Sequence, residues 1–357
     1  MDKIKEASAV IEAPIQKVVD KKMPVFYNPV MKLNRDISIM VLNSYDLNDM
    51  KIGLPLAGSG IRGIRFIREV DKGKICEIHI NDIKNDFKKY MKKIQKMNYV
   101  DKFIDEKNIF IHNKDANVFL IENKPFDYID IDPFGTPNPF LDSAVRSLRS
   151  DGILAVTATD TSALCGSYPK ACRRKYWAEP LRNELMHEIG LRILIRKVQL
   201  MGTNQQRALI PILSYSKDHY MRIFFRFDKG KENMDKVLNQ HDYFESDGKK
   251  YGPMWIGNLN DLKFLKKVIK ETERDEFYDS RSIKLVKTLF EEQKISGFGF
   301  YDVHKIAKEI KTSIPKYEYI MDELKKKGFE VSRVHFTDTG LKTTAKKEDI
   351  IKIMKKL

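Results

Sequence analysis

Lys51-Ile52-Gly53-Leu54-Pro55-Leu56-Ala57-Gly58-Ser59-Gly60-Ile61-Arg62-Gly63-Ile64-Arg65-Phe66-Ile67 reads as a strand, a glycine turn and the start of a helix. Lys51 to Ala57 is short and apolar enough for a buried strand, and Ile64, Phe66, Ile67 and Val70 continue at helical spacing. Gly58, Gly60 and Gly63 fit G-x-G-x-x-G, a pattern that brings backbone close to a ligand and a helix close to a strand. A second strand, Lys74 to Asn81, ends at Asp82, and a helical run through Phe87, Tyr90, Met91, Ile94 and Met97 follows. The third strand, Asn108 to His112, ends near Asp115-Ala116, before a helix through Val118 to Ile121. The fourth, Phe126 to Ile131, delivers Asp132, and the fifth, Gly152 to Thr157, follows a helix over Pro139 to Leu148. This alternation predicts an α/β, Rossmann-like domain with a mostly parallel sheet and helices on both faces. Ligands of such sheets bind at the carboxyl ends of the strands.

Every candidate residue falls at one of those ends. Asp82 stands where an acid would bind ribose hydroxyls, and Asp115 with Ala116 suits an adenine. Both acids also suit helix N-caps. The first two strands fit NAD and S-adenosylmethionine equally, because both carry an adenosine. The fourth strand separates them through Ile129-Asp130-Ile131-Asp132-Pro133-Phe134-Gly135-Thr136-Pro137. The exocyclic amine of a nucleobase is a poor nucleophile, its lone pair being delocalised into the ring. An enzyme that methylates it must fix the base, accept hydrogen bonds from the amine and receive a proton. Asp132 can accept, Phe134 can stack, and Pro133 locks an extended turn whose carbonyls can face a donor. Hydride transfer has no need of such a turn, although Asp-Pro-Phe alone is also an ordinary strand-to-turn junction. Upstream, residues 24–36 (PVFYNPVMKLNRD) are too rich in specific side chains for a linker and are expected to fold over the site. Arg35, Arg62 or Arg65 can pair with a methionine carboxylate, and Phe26 can face the base opposite Phe134, although Phe26 and Tyr27 also read as core aromatics.

Composition bounds the rest. The chain has 357 residues, 42% of them hydrophobic, and a formal charge of +15 from 65 Lys+Arg against 50 Asp+Glu. That length suits about two domains, and the charge suits a polyanion such as nucleic acid, or simply a lysine-rich proteome. Cys76, Cys165 and Cys172 have neither C-x-x-C spacing nor the number for a disulfide framework. With no apolar run approaching ~18 residues and no leader-like start, a soluble cytoplasmic protein is expected, with no membrane partner and no metal.

Several segments together resemble the tRNA (guanine-N2) dimethyltransferases of archaeal type: Phe26-Tyr27-Asn28-Pro29 with Asn34-Arg35-Asp36, Gly60-Ile61-Arg62-Gly63-Ile64-Arg65, Asp132 to Pro137, Lys170 to Tyr176, and Gly252-Pro253-Met254-Trp255. The resemblance covers nearly the whole chain. It implies methylation, once or twice, of the exocyclic N2 of guanine 26 in tRNA, with S-adenosylmethionine as donor. It also implies Asp132 as proton acceptor, Phe134 and Phe26 holding the flipped base, and Arg35, Arg65, Asp82, Asp115 and Ala116 holding the cofactor alongside Gly58 and Gly60. Many relatives carry zinc-type cysteine pairs before the Gly-Pro-Leu/Met-Trp segment, whereas residues 239–251 here contain His241, Asp242 and Glu245 and no cysteine. A zinc site is therefore not expected. Thr136 replaces a serine common in relatives and keeps the hydroxyl.

Lys170, Arg173 and Arg174, with Tyr168, Tyr176 and Trp177 interleaved, are candidate tRNA contacts, basic groups meeting phosphate and aromatics meeting bases. The pattern changes after about residue 217, so a methyltransferase domain over 1–217 and a tRNA-binding domain over 218–357 are expected. The second would contain two helices and a hairpin, a winged-helix-like unit, from Tyr301 onward. A monomer is expected. The alternatives are a different nucleobase amino methyltransferase, a non-catalytic nucleic-acid-binding protein with an inactive Rossmann-like domain and, weakest, a nicotinamide dehydrogenase.

Overall fold

The computed structural model describes residues 1–14, 23–100 and 108–356. A hairpin of β1 (Asp2–Glu6) and β2 (Ala9–Ala13) precedes α1 (Lys32–Ser44). Strands and helices then alternate: β3 (Met50–Leu54), α2 (Ile61–Glu69), β4 (Ile75–Asn81), α3 (Phe87–Met97), β5 (Asn108–His112), α4 (Ala116–Asn123), β6 (Phe126–Ile131), α5 (Asn138–Ser147) and β7 (Leu148–Ala158). Helices α6 (Thr161–Leu164), α7 (Pro169–Tyr176) and α8 (Met186–Asn204) lead to the paired strands β8 (Ala208–Lys217) and β9 (Tyr220–Asp228). Beyond them lie α9 (Lys231–Leu238), a hairpin of β10 (His241–Ser246) and β11 (Lys249–Trp255), α10 (Leu262–Glu271) and α11 (Ser280–Lys294). The terminal unit holds β12 (Tyr301–Asp302), α12 (Val303–Glu309), α13 (Tyr317–Lys326), β13 (Val331–Arg333), β14 (Gly340–Thr343) and α14 (Lys347–Met354).

The central sheet has seven strands in the order β5-β4-β3-β6-β7-β9-β8. Its first five are parallel, and β9 runs antiparallel to both β7 and β8. Chain order reverses between β3 and β6, and a crevice opens at the carboxyl side of such a switch point. Strands of the sheet interior send alternate residues to two cores, as the period-two geometry of a strand requires. Tyr128, Ile153 and Ala155 join α1, α2 and α3 on one face; Ile129, Ile131, Leu154 and Val156 join α4, α5 and α8 on the other. Each fully buried Ile, Leu or Val among them contributes roughly 1.5–3 kcal/mol. Gly63 sets the approach of α2 to the sheet, because a Cβ there would stand 2.5 Å from Ile80 Cδ1. Gly60, at φ +70°, turns the chain into α2 in a left-handed conformation that β-carbons disfavour.

The structure corrects the expected boundary at 217/218. That cut falls in the turn between β8 and β9, whereas β9 is an interior strand of the first sheet, paired with β7 from Ile153–Arg226 to Ala158–Met221. The first domain therefore runs to at least Asp228. Nor do the elements beyond β9 form a separate body throughout, since Phe264, Leu265 and Val268 of α10 and Leu285, Val286 and Leu289 of α11 lie in the same core as α1. Among the described residues beyond β9, those of the terminal unit from Val303 to Met354 build a core of their own, apart from Val334 and Phe336, which pack in the larger one. There, α12, α13 and α14 pack with a small sheet of order β12-β14-β13 in which β13 and β14 form the hairpin, so the two helices and hairpin expected from Tyr301 onward are present together with a third helix. His335 ties this unit down: its Nδ1 lies 2.7 Å from Glu292 of α11, and its Nε2 accepts from Ser216 N of β8 at 3.3 Å.

Candidate active site

A cleft of about 550 Å³ opens at the carboxyl ends of β3, β4 and β6, where the chain reverses its order across the sheet. Each wall has its origin in a local feature of the sequence. The glycine turn forms one, with Gly58 at φ +58°, and Asp82 at the end of β4 holds it. Asp82 Oδ2 accepts from Gly58 N at 2.7 Å and Oδ1 from Lys84 N at 3.0 Å, so the carboxylate locks two loops while bordering the cleft. The segment after Met23 crosses over the cleft: Phe26, Tyr27, Asn28, Val30 and Met31 all line it. Asp132, Pro133 and Phe134 form the far wall beyond β6.

The two aromatic rings are closer than a sandwich permits. Phe26 and Phe134 lie with centroids 4.2 Å apart at 69°, edge against face. A base stacked between them would first have to part them. Phe134 is 47% exposed, so its ring has solvent on one side and room to turn.

The floor is a chain of charges. Arg62 of α2 donates through Nη2 to Asp132 Oδ2 and through Nη1 to Ser38 Oγ at 2.9 Å, with Nη1 3.4 Å from Asp130 Oδ2. Arg222 of β9 grips Asp130 with both ends of its fork, Nη1 to Oδ1 at 2.8 Å and Nη2 to Oδ2 at 2.7 Å, and also donates to Thr157 Oγ1 and Ser38 Oγ. Tyr128 OH donates to Asp130 Oδ2 at 2.7 Å. Burial works against the charge of Asp130, yet Arg222 and Arg62 outweigh it and hold the carboxyl below the usual range. Asp132 is the more open acid, and among the described residues its Oδ1 accepts no hydrogen bond.

Arg35 borders the cleft but is anchored elsewhere. Its Nε donates to Glu6 Oε1 at 2.7 Å, and its Nη2 to Glu6 Oε2 at 2.5 Å and Asn28 O at 3.1 Å. Arg65, expected beside the cofactor, does not reach the cleft. It is wholly buried, with Nη2 2.7 Å from both Asp36 and Glu69 and Nη1 3.0 Å from Glu6, and α2 turns it toward α1 and the N-terminal hairpin. Asp115 is likewise occupied as the N-cap of α4, accepting from Asn117 N and Val118 N, and neither it nor buried Ala116 lines the cleft. Lys170, Arg173 and Arg174 are exposed on α7, outside the lining, and Arg173 is paired with Glu179. Helix α7 nevertheless abuts the site: Tyr176 OH lies 3.0 Å from Thr136 Oγ1, and Asn138 Nδ2 donates to Lys175 O at 2.8 Å.

Sequence reasoning missed Glu6, Asp130, Arg222, His219 and Tyr220, the last two of which also line the cleft. One signal was present: Asp130 near the end of β6 and Asp132 just past it stand two apart, the spacing that puts residues of an extended chain on one face. Glu6 yields a prediction. Burial raises its carboxyl, but Arg35 and Arg65 win and bring it down to about 2. A depressed folded value means stability that is full above the ordinary carboxylate range and lost as pH falls through about 2. Wild-type protein should therefore lose about 2–3 kcal/mol between pH 4.5 and 2 from this group. Glu6→Gln should be weaker at neutral pH by a similar amount, with a flatter acid limb in denaturant titrations.

Residues 6–247 and 240–355 match the family described as N2,N2-dimethylguanosine tRNA methyltransferase. The chain is 38% identical, over 98% of its length and 97% of the other's, to a protein of Methanocaldococcus jannaschii named tRNA (guanine(26)-N(2))-dimethyltransferase. It is 37% identical, over 100% of its length and 96% of the other's, to one of Aquifex aeolicus named tRNA (guanine(26)-N(2)/guanine(27)-N(2))-dimethyltransferase. Among solved structures, Trm1 from Pyrococcus horikoshii in complex with S-adenosyl-L-methionine superposes with a TM-score of 0.87 at 36% identity, covering 99% of this chain and 100% of that one.

Proposed function

Because the chain belongs to the N2,N2-dimethylguanosine tRNA methyltransferase family, we propose that the cleft between the Gly58–Gly60 turn and the Asp132-Pro133-Phe134 turn is where it methylates its substrate. The protein is an S-adenosylmethionine-dependent tRNA methyltransferase acting on N2 of guanine 26. One observation carries the assignment of the site: a ribose-type acid and an amine-accepting acid face one cleft at the switch point of the sheet.

The residues present suit the cofactor. Asp82 keeps both carboxylate oxygens at the cleft edge with one backbone donor each, leaving lone pairs for ribose hydroxyls. Gly58 sits at a positive φ and close against the covering segment, since a Cβ would stand 3.1 Å from Phe26 O. Gly60 gives α2 an N-terminus with no side-chain cap, open to a carboxylate. Arg35 stands at the same border, and its Nη1 makes no hydrogen bond among the described residues. Arg65 supports Glu6, which holds Arg35, and so acts at one remove. When bound, S-adenosylmethionine supplies an electrophilic methyl group on a positively charged sulfur.

At the other end, Asp132 Oδ1 would accept from the exocyclic amine of guanine, drawing electron density onto N2 and taking its proton as the N–C bond forms. Arg62 fixes the second oxygen, so the carboxylate is aimed before the base arrives. Phe134 and Phe26 would hold the flipped base after parting, and stacking of ~1–3 kcal/mol per base offsets part of the cost of extrusion. Exposed Lys170, Arg173 and Arg174 on α7, next to the Thr136 turn, would meet the phosphates around it. Monomeric action in the cytoplasm belongs to the same proposal. Among the described residues no helix is long and apolar enough to cross a membrane.

The test is mass spectrometry of nucleosides from a tRNA transcript incubated with the protein and S-adenosylmethionine. Parallel transcripts carry adenine at position 26 or 27. Dimethylguanosine that disappears only with adenine 26 is the expected result. Loss with adenine 27 alone would move the target, and no methylated guanosine in any transcript would overturn the reading.

A further inference from the structure

A second concavity lies away from the cleft, between α11 and the terminal unit, with a volume of about 490 Å³. Lys284 and Lys287 of α11 form one wall, Lys325 of α13 and Arg333 of β13 the other. Helical spacing puts Lys284 and Lys287 on one face, roughly 5–6 Å apart at Cβ. Ile283, Met321 and Val331 lend the floor an apolar surface.

What distinguishes these lysines from an ordinary solvated face is that none has an ion-pair partner among the described residues. Glu291, which also lines the hollow, pairs with Lys294 at 2.7 Å, and Glu323 pairs with Lys326 at 2.8 Å. Lys284, Lys287 and Lys325 make no ion pair among the described residues, although all three are exposed around one hollow. Arg333 is held in place, stacked 3.8 Å from the Tyr317 ring centroid and donating to Asp338 O, so its charge is positioned without being neutralised. Four positive groups around a concave floor, one of them fixed, suit a run of phosphates with ribose against the apolar floor. The α11 wall shares its core with α1, which carries Arg35, so one wall of the groove is packed directly against the domain that holds the cleft.

We propose that this groove binds the sugar-phosphate backbone of the tRNA substrate at a point remote from the methylated base. The inference rests on the functional reading above and adds to it a second anchoring point. The groove then sets affinity and leaves the chemistry to the cleft.

The experiment compares wild-type protein with Lys284→Ala/Lys287→Ala/Lys325→Ala for binding to the guanine-26 transcript across a salt series. The variant should bind about tenfold more weakly at low salt, and the slope of log affinity against log salt should fall by about 2–3. KM for tRNA should rise while kcat at saturating tRNA and affinity for S-adenosylmethionine stay unchanged. A triple lysine-to-arginine variant should restore binding, which separates loss of charge from loss of fold. Neutralising three exposed lysines elsewhere, Lys231, Lys236 and Lys249, should change affinity much less. Wild-type affinity and salt slope in the triple alanine variant would overturn the proposal, as would an equal loss from the control triplet. A wild-type protein that methylates no guanine would instead overturn the functional reading, and the binding series would still decide the groove.

Discussion

Asp132→Ala is expected to lower methyl transfer by roughly 10²–10⁴-fold while S-adenosylmethionine binds within about threefold of wild type. The acid stands across the cleft from Gly58 and Asp82, on the side the proposal gives to the base, and its bonded partner is Arg62. On the proposed reading, removing it takes away the amine's acceptor and the proton's destination, and it leaves the Asp82 bonds to Gly58 and Lys84 intact. Asp132→Asn refines the test, because the amide oxygen still accepts a hydrogen bond but the group takes up no proton at neutral pH. Asparagine should therefore recover base affinity without recovering kcat. Titration calorimetry with the cofactor and single-turnover kinetics with tRNA read the two effects separately. If both variants lost cofactor affinity as severely as rate, the acid's role would be to hold the cleft's shape through Arg62.

Much of this arrangement is legible in the amino-acid sequence. Strands expected over Asn108–His112 and Phe126–Ile131 coincide with the observed β5 and β6, because apolar runs bounded by turn residues leave little freedom of register. The glycine turn, Asp82 and the Asp132 turn are legible too, each being a local pattern that the parallel sheet carries to one edge. The sequence is silent wherever a side chain's partner is chosen by tertiary packing. Arg35, Arg62 and Arg65 look alike as letters, yet helix phase points Arg62 at the cleft floor and Arg65 into a buried nest of three acids. Asp115 could cap or bind, and it caps. Strand β9 carries a readable warning in Met221, Ile223, Phe224, Phe225 and Phe227, apolar on both faces as an interior strand must be. Taken as the start of a new domain, it hides Arg222, the cation on which the floor of the site depends.

That dependence sets the largest expected effect on stability. Asp130→Ala should cost about 3–5 kcal/mol, because it strips a fully buried guanidinium of both charge-assisted bonds and leaves only Thr157, Ser38 and Tyr128 hydroxyls around Arg222. Calorimetry should show the melting temperature falling by roughly 5 °C or more. Asp130→Leu/Arg222→Met removes the pair together, and apolar replacement of a buried ion pair is often neutral or better. The double variant should thus regain most of the loss, which simple damage to packing would not allow. Activity should take a different course. Arg62 lies between Asp130 and Asp132, so without Asp130 it retains Asp132 and Ser38 alone and the carboxylate it aims is less firmly placed. A double variant that is stable, binds cofactor normally and still turns over slowly would identify the buried pair as the support that positions Arg62. Full activity at restored stability would confine Asp130 and Arg222 to holding β6, β7 and β9 together.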